Sequence, residues 1–309
     1  MVSIIAGLKK IRRTIVRMMP DPVYYRYRYF QIYHRIGNLT QPKRYSEKIF
    51  YRMRRPLPIF TQLADKVAVR SYIADVVGKQ YLVPAYLCCD QVTRETFSVL
   101  PDTFVMKANH SAGQTKIVLD KGREDLDALA VLANGWLDSD FSARQREKHY
   151  QAIPRKIIFE KALLSDGEPP DDYKFNVFNP PGSDEPFVFV QYVHDRFKDM
   201  TQDFYFADGT PAPFSFRGLR PSGKPLPRCG AFEEMLRIAK KLAGPFGFMR
   251  VDCYFHEGRV YVGELTFTPG AGMYALSPPC WDKELGAKFR WPDADEHDSE
   301  AMSGTMATY

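Results

Sequence analysis

Two carboxylates lie in β-type sequence near the end of the chain, at positions where apolar residues would pack better. Residues 249–272 read MRVDCYFHEGRVYVGELTFTPGAG, two apolar runs around a short polar turn, with Asp252 in the first run and Glu264 in the second. Burying a polar group without a partner costs about 2–7 kcal/mol, and more for a charge. Mg²⁺ takes oxygen ligands from one or two carboxylates together with nucleotide phosphates, so a bound magnesium ion would remove this cost. The alternative is that both carboxylates occupy solvent-facing strand positions.

The register of this hairpin decides whether the two carboxylates can act together. A two-residue turn at Glu257-Gly258 would pair Asp252 with Gly263 and put the carboxylates on opposite faces. A three-residue turn centred on Gly258, or a one-residue bulge, would pair Asp252 with Glu264 on one face. The metal hypothesis therefore predicts an odd register at the turn around Gly258.

Cationic side chains at three places suit a nucleotide. Arg250 precedes Asp252 by two residues and shares its face, where an arginine can steady a phosphoryl group or a substrate carboxylate. In FVMKANHSAGQTKIV (104–118), Lys107 ends a strand, and the backbone N–H groups of Ser111 to Gly113 can close over phosphate oxygens. No Walker A sequence follows, and an ordinary β-turn is the alternative. Lys174 lies on the otherwise apolar strand DDYKFNVF (171–178), where snorkelling to solvent is the alternative.

A strand that stops at an open hinge is predicted at FEKAL (159–163). Its backbone groups can read an adenine edge, and the Glu160 carboxylate is expected to bond a ribose hydroxyl. No Ser/His/Asp or Cys/His arrangement for nucleophilic catalysis is apparent. Among the six histidines, His110 in the loop after Lys107 is the candidate site residue.

Composition predicts a soluble, cytoplasmic globular protein. The 309 residues are 45% hydrophobic and contain no run of 18 apolar residues, which excludes a transmembrane helix. The N-terminus lacks the small-residue cleavage site of a signal peptide. Five cysteines without a Cys-x-x-Cys motif indicate reduced thiols and no metal cluster.

Charge is distributed unevenly along the chain. Residues 1–70 hold 16 Lys/Arg against 3 Asp/Glu, a balance of +13, whereas the remainder holds 27 against 34, a balance of −7. Apolar residues recur at helical spacing in 1–19, which is compatible with a helix on an anionic membrane surface or with a helix packed on its own domain. Aromatics alternate with bases in 24–37. Packing of these rings is favoured over nucleic-acid binding, because no nucleic-acid module surrounds them.

Periodicity predicts an α+β protein without internal repeats. Helices are expected at 44–54, 59–77, 123–139 and 231–244, and strands at 103–108, 115–119, 172–179 and 186–193, besides a strand and hinge at 155–164 and the hairpin. We divide the chain into a helical N-terminal region that includes the start of the main fold (1–100), a lid subdomain (101–170), a C-terminal subdomain with the hairpin (171–290) and a disordered tail (291–309).

These pieces, in this order, resemble the TupA-like ATP-grasp family of bacterial cell-surface polysaccharide gene clusters. The similar stretches are YSEKIFYRM (45–53), LADKVAVRSYI (63–73), YLVPAY (81–86), LPDTFVMKANHSAG (100–113), DDYKFNVFN (171–179), DFYFADG (203–209), MRVDCYFHEGRVYVGELTFTPGAGM (249–273) and WDKELG (281–286). The resemblance implies an ATP-grasp fold with a helical, basic N-terminal region. It also implies ATP and Mg²⁺ as cofactors.

Site roles follow from the resemblance residue by residue. Lys66 and Lys107 would hold nucleotide phosphates, Ser111 and Gly113 would belong to the lid loop, and Lys174 would lie near the phosphates. The adenine–ribose hinge would be Glu160, Lys161 and Leu163, and the magnesium ligands would be Asp252 and Glu264. Many ATP-grasp enzymes carry Glu-x-Asn at the second metal position, where this chain has Glu264-Leu265-Thr266.

The implied reaction forms an amide through an acylphosphate. ATP-grasp enzymes transfer the γ-phosphoryl group of ATP to a carboxylate, and an amine then displaces phosphate. The implied partners are an amino acid or amine and a uronic acid of a capsule, O-antigen or other exopolysaccharide precursor, without nucleic acid. Lipid-linked or growing glycan would bring the protein to the anionic inner face of the plasma membrane. Candidates for acceptor contacts are His194, Arg196, Arg217 and Arg220, each of which can equally belong to a solvated loop.

Two other functions remain open. A sugar-nucleotide glycosyltransferase would have to use Asp138-Ser139-Asp140 as its carboxylate motif, although no apolar strand precedes it. A catalytically silent nucleotide-binding scaffold is the other, and it would not need to keep Lys107 and the two hairpin carboxylates.

Overall fold

The computed structural model describes residues 14–194, 198–228 and 230–292. Most of the basic stretch 1–19, the candidate Arg196 and nearly all of the tail 291–309 lie outside them. Residues 14–18 are helical, and the later helices are α1 (Asp21–Tyr33), α2 (Tyr45–Arg54), α3 (Pro58–Ala64), α4 (Val69–Val76), α5 (Leu126–Asp138), α6 (Ser142–Gln145), α7 (Phe232–Ala243) and α8 (Trp281–Lys288). The strands are β1 (Ala85–Cys89), β2 (Phe104–Ala108), β3 (Thr115–Val118), β4 (Ile157–Glu160), β5 (Asp172–Phe178), β6 (Phe187–His194), β7 (Thr201–Phe206), β8 (Ser215–Phe216), β9 (Phe248–His256), β10 (Arg259–Thr266) and β11 (Leu276–Ser277). The α+β prediction is confirmed.

A five-stranded antiparallel sheet carries the hairpin, in the order β10-β9-β5-β6-β7 among the described residues. Side chains alternate between the two faces of a strand. One face of this sheet, including Phe175, Val177 and Val251, forms an apolar core with the buried side of α7. The opposite face presents the polar residues of β5, β9 and β10, which is why these strands combine apolar and charged residues.

A smaller antiparallel sheet has the order β1-β4-β2-β3, and three of its strands lie within the predicted lid subdomain (101–170). Its core joins Phe104, Met106 and Phe159 of the strands to Leu129 and Ala133 of α5. Strand β1 of the same sheet lies before the predicted boundary at residue 101.

The N-terminal helices pack by their aromatic residues. Tyr25 and Tyr29 of α1 are fully buried and join a cluster with α2, α8 and one end of the large sheet. This packing confirms the interpretation favoured for the alternation of aromatic and basic residues in this segment. No helix of the described residues is long and apolar enough to cross a membrane.

The single helix predicted over 59–77 is wrong, because the segment forms two helices, α3 and α4, with a break at Asp65. The Asp65 carboxylate accepts hydrogen bonds from the Val67 backbone N–H and from the Asn109 side chain, both at 2.8 Å. A side chain that bonds nearby backbone competes with helical hydrogen bonding. The break tethers the segment to the loop after β2 and sets the position of Lys66.

Candidate active site

The hairpin brings its two carboxylates together by a bulge. Asp252 of β9 is the cross-strand partner of Glu264 of β10, and the register shifts by one residue between Val262 and Glu264. The turn itself has two residues, Glu257 and Gly258, with φ of 48° and 74°. The prediction of an odd register at this turn is therefore wrong, whereas the alternative of a one-residue bulge is confirmed.

Gly263 is the residue of the bulge, and a side chain does not fit there. A Cβ built on Gly263 would overlap the ring of Tyr254, which crosses from β9. The bulge and the glycine therefore belong together, and they give Glu264 its place beside Asp252.

Asp252 lies at the centre of a buried cluster of charges. Arg250 donates from Nε to Oδ1 at 2.7 Å and from NH2 to Oδ2 at 3.0 Å, and the Lys174 ammonium lies 2.5 Å from Oδ2. Burial alone would raise the pKa of the Asp252 carboxyl, but the charges of Arg250 and Lys174 outweigh it and hold that pKa below its ordinary value. Asp252 is therefore ionised at neutral pH. The row Lys174, Asp252 and Glu264 crosses three neighbouring strands.

Glu264 is the more accessible of the two carboxylates. Its side chain is 26% exposed, with the Lys66 ammonium 3.5 Å from Oε1 and Arg250 3.7 Å from Oε2. Thr266, two residues after Glu264 on β10, accepts a hydrogen bond from Arg250 at 3.0 Å.

The donor set of this hairpin fits Mg²⁺. Two adjacent carboxylates supply the hard oxygen ligands that this ion prefers, and the remaining positions normally go to water and nucleotide phosphates. No cluster of three or more His, Cys, Asp or Glu suited to a metal occurs within the residues that the structure describes. Asp252 and Glu264 are the residues that would hold a magnesium ion here.

A cavity of about 240 Å³ lies between the two sheets and next to Glu264. Its apolar wall includes Val83, Ile117, Leu163 and Tyr254. Its charged wall consists of Lys66, Lys107, Lys161, Asp172 and Glu264, and the loop residues Ala112 and Gly113 complete it. An apolar slot beside ammonium groups and a carboxylate suits a nucleotide, with the base on the apolar side and the phosphates toward the lysines. Five of the predicted nucleotide residues line this cavity: Lys66, Lys107, Gly113, Lys161 and Leu163.

Glu160 does not line the cavity. Its carboxylate accepts from the Lys107 ammonium at 2.7 Å and from Arg70 at 3.1 Å. That Glu160 bonds a ribose hydroxyl stays a prediction, and in the structure its two oxygens pair with these two cations. Glu160 holds Lys107 in place. Sequence reasoning missed Arg70, although it follows Lys66 by four residues.

The loop after β2 is held at its base and open at its tip. Asn109 is fully buried and accepts from the Lys156 backbone N–H at 2.7 Å, while the Ser111 carbonyl accepts from the Lys66 ammonium at 2.5 Å. Ser111 and His110 are buried and do not line the cavity, and burial lowers the pKa of the His110 imidazole. Gly113 has a φ of 85° with open space around it, so the tip can approach a ligand closely.

Glu147 is a site neighbour that sequence reasoning missed. It is buried, and Thr268, which follows β10, donates a hydrogen bond from Oγ1 to Glu147 Oε1 at 2.5 Å. Burial, the largest cause, together with the charge of Glu264 raises the pKa of Glu147 to about 7. Its irregular segment, far from the hairpin in sequence, carries no pattern that predicts this contact.

The candidate acceptor residues that the structure describes stand apart from the cavity. Arg217 and Arg220 are exposed, and Arg220 pairs with Asp199. His194 lies 3.5 Å from Asp171. Asp138 ends α5, and Asp140 accepts a hydrogen bond from Ser142 at 2.6 Å, so these two carboxylates form a local turn rather than a metal motif at a strand end.

Comparison with known proteins places this arrangement in a family. A sequence profile described as TupA-like ATPgrasp matches residues 47–290. The chain belongs to the TupA-like ATP-grasp family. The match includes every residue assigned above to the cavity and the hairpin, whereas α1 lies before it. A comparison with curated proteins finds no match.

Solved structures similar to this TupA-like protein include three amino-acid ligases. The D-alanine–D-alanine ligase of Helicobacter pylori has a TM-score of 0.41 at 14% identity, covering 74% of this chain and 59% of that one. The Bacillus anthracis enzyme complexed with ATP has a TM-score of 0.38 at 14% identity, covering 68% and 55%. VanG D-Ala:D-Ser ligase of Enterococcus faecalis has a TM-score of 0.41 at 14% identity, covering 69% and 54%. The chain thus spans between half and two thirds of the length of these three structures.

Proposed function

We propose that this TupA-like protein is an ATP- and Mg²⁺-dependent ligase that joins the carboxylate of a uronic acid in a surface-polysaccharide precursor to an amine or amino acid. The observation that carries the proposal is the row Lys174, Asp252 and Glu264, which runs to the edge of a cavity with Lys66 and Lys107 on its wall. Membership of the family supports an ATP-dependent reaction. The identities of the two substrates, a uronic acid and an amine, go beyond what family membership supports and are part of the proposal.

The side chains of this site position charge rather than attack substrate. Glu160 orients the Lys107 ammonium, and the Ser111 carbonyl orients that of Lys66, which would let both lysines bind a nucleotide's phosphates in the cavity. Arg250, fixed by Asp252 and Thr266, supplies positive charge beside the place where the phosphoryl group transfers. Asp252 and Glu264 would hold a magnesium ion, which would supply positive charge to neutralise the phosphates. Phosphoryl transfer needs this positioning and neutralisation, and no protein nucleophile.

Bonds and protons balance without a redox partner. The substrate carboxylate oxygen bonds to the γ-phosphorus as the bond to ADP breaks. The amine nitrogen then bonds to the acyl carbon, the acyl–phosphate bond breaks, and the amine releases a proton. ADP, phosphate and an amide result.

The test is release of ADP and phosphate from the full chain with MgATP, a candidate uronic acid and a candidate amine. We expect release that requires both acceptors and that Lys107→Met abolishes. Lys283→Met, which removes an exposed ammonium on α8, is the matched control and should leave the rate unchanged. Release of UDP from a sugar nucleotide without ATP would replace the proposal with a glycosyltransferase. No turnover with retained ATP binding, over a panel of uronic acids and amines, would favour a silent scaffold.

We also propose that the N-terminal region brings the enzyme to an anionic membrane surface. Near the basic residues of this region, Met18, Phe30 and Ile36 are 78%, 54% and 91% exposed, an arrangement that suits an interface between water and lipid. Flotation with phosphatidylglycerol vesicles should exceed flotation with phosphatidylcholine vesicles, and equal flotation would refute the proposal.

A further inference from the structure

A second and larger cavity, of about 990 Å³, lies between α1 and residues 140–151. One face of α1 forms a wall with Asp21, Tyr24, Arg28 and Gln31, which recur at helical spacing. The opposite wall comes from the segment that contains α6 and the residues around Glu147. We call this cavity the α1 cleft. No function has been assigned to it above.

Cations dominate the lining of the α1 cleft. Five of its side chains are cationic and two are anionic; the cations are Arg17, Arg28, Arg144, Arg146 and Lys148. Arg146 and Lys148 both pair with Asp21, at 2.9 and 2.6 Å. This pairing neutralises one end of the cleft.

Arg28 and Arg144 take part in no ion pair among the described residues. Arg28 contacts neutral groups instead, Gln31 Oε1 at 3.3 Å and Gln145 Oε1 at 3.2 Å. No carboxylate within residues 14–194, 198–228 and 230–292 forms an ion pair with either arginine. A partly enclosed cleft lined by guanidinium groups attracts anions, and a guanidinium matches a carboxylate with two parallel hydrogen bonds.

The α1 cleft adjoins the segment that leaves the metal hairpin. Glu147, between the cleft residues Arg146 and Lys148, receives the hydrogen bond of Thr268. Arg28 reaches Met273 Sδ at 3.4 Å. Both contacts join the cleft wall to residues 268–273, which follow directly after the strand of Glu264. The wall of the cleft thus contacts the segment that follows β10.

From these observations we infer that the α1 cleft binds the acceptor as an oligomer of acidic sugars, whose terminal carboxylate reaches the active site. The inference rests on the proposed function and deepens it. Arg28 and Arg144 suit sugar carboxylates, and the amides of Gln31, Gln145 and Gln151 suit sugar hydroxyl groups. The volume of the α1 cleft lies at the upper end of the range of about 300–1,000 Å³ that is typical of small-molecule sites, so the cleft can accommodate several linked sugars. A concave cleft also disfavours a flat membrane surface as the ligand.

The test separates binding from catalysis by omitting ATP. Tetragalacturonate is titrated into the full chain by calorimetry, with maltotetraose as the uncharged probe and galacturonate as the single sugar. We expect tetragalacturonate to bind, and the other two to bind at least about tenfold more weakly, since hydrogen bonds to charged groups contribute that factor or more. The double variant Arg28→Gln with Arg144→Gln should lose about the same factor for tetragalacturonate.

The matched control is Arg26→Gln with Arg123→Gln, which removes the same charge. Arg26 lies on α1 outside the cleft, and Arg123 is exposed on the lid subdomain. Equal affinity of the two double variants for tetragalacturonate would overturn the inference. Binding of UDP-glucuronate that is tighter than that of tetragalacturonate, and that the cleft variant weakens while the control variant does not, would overturn it too, because the cleft would then hold a nucleotide-linked acceptor. Loss of phosphatidylglycerol binding alone in the cleft variant would assign the arginines to lipid headgroups and also overturn it.

The outcomes that would refute the proposed function differ from those that would refute binding in the α1 cleft. Arginine-dependent binding of tetragalacturonate with no ADP release under any acceptor would support the cleft and refute the ligase. ADP release that depends on uronic acid and amine but is the same in both double variants would support the ligase and refute the cleft.

Discussion

Replacing Gly263 with alanine tests whether the bulge aligns the metal carboxylates. The added Cβ would overlap the ring of Tyr254, a half-buried residue of β9 that lines the cavity. Overpacking of this kind costs about 1–3 kcal/mol, so Gly263→Ala should lower the free energy of unfolding by that amount unless the hairpin abandons the bulge. Abandoning the bulge would turn Glu264 to the face opposite Asp252, because a one-residue slip exchanges the faces of a strand. Either outcome should weaken magnesium-dependent nucleotide binding.

Two measurements and one control make this prediction refutable. Urea denaturation gives the stability, and magnesium titration of ATP-induced thermal protection gives the metal response. Gly258→Ala is the control: its φ of 74° makes alanine strained by about 1–2 kcal/mol, but open space surrounds the site. It should lose stability and keep the metal response. Adding Tyr254→Ala to Gly263→Ala should restore at least half of the stability that Gly263→Ala loses. If Gly263→Ala keeps both stability and metal response, the bulge does not align the carboxylates.

Three further substitutions test the charges around the hairpin. Asp252→Asn leaves two buried cations without their carboxylate, so urea denaturation should show a loss of about 3–5 kcal/mol; a loss below about 1 kcal/mol would contradict the buried cluster. Glu147 has a pKa of about 7 in the fold against an ordinary 4.5, so its neutral form is favoured and stability should fall as pH rises from about 4.5 to about 7, by at most about 3 kcal/mol. Glu147→Gln should remove this fall, and an unchanged stability profile between pH 5 and 8 would refute the assignment. Glu160→Gln releases Lys107 from its ion pair and should raise the KM for ATP by about tenfold with a smaller change in kcat; an unchanged KM would show that Glu160 does not position Lys107.

Local patterns account for the parts of the structure that the sequence predicted well. Alternation and apolar runs locate β5 and β6 within a residue, and α7 is amphipathic and ends before Gly244-Pro245. The sequence identifies the two hairpin carboxylates because a charged residue within an apolar strand is costly to bury without a partner. Lys107 is found because a small-residue loop follows a strand. Each of these patterns spans about ten residues of sequence, so it can be recognised without knowing the tertiary structure.

The misses share a tertiary cause. Nothing in the hairpin's own sequence says that Tyr254 excludes a side chain at position 263, so a bulge could not be preferred to a longer turn. The break at Asp65 depends on Asn109, and the engagement of Glu160 depends on Arg70 and Lys107. Each of these contacts joins residues that the fold brings together. The alternation of side chains along β5 does give one further indication. Asp172 lies two residues before Lys174, so the two share a face of the strand, and Asp172 lines the cavity.

The buried charges at Asp252 argue for function more strongly than for stability. An ion cluster of this kind seldom stabilises a fold more than apolar residues of similar volume would, because each charge loses its hydration. Lys174, Arg250 and Asp252 nevertheless occupy strands whose other face is a continuous apolar core with α7. Asp252 fixes the two cations, and Glu264 beside it keeps a quarter of its surface exposed toward the cavity. A site that must meet a polyphosphate requires preorganised positive charge with carboxylates for its metal ion, and this face of the sheet presents both.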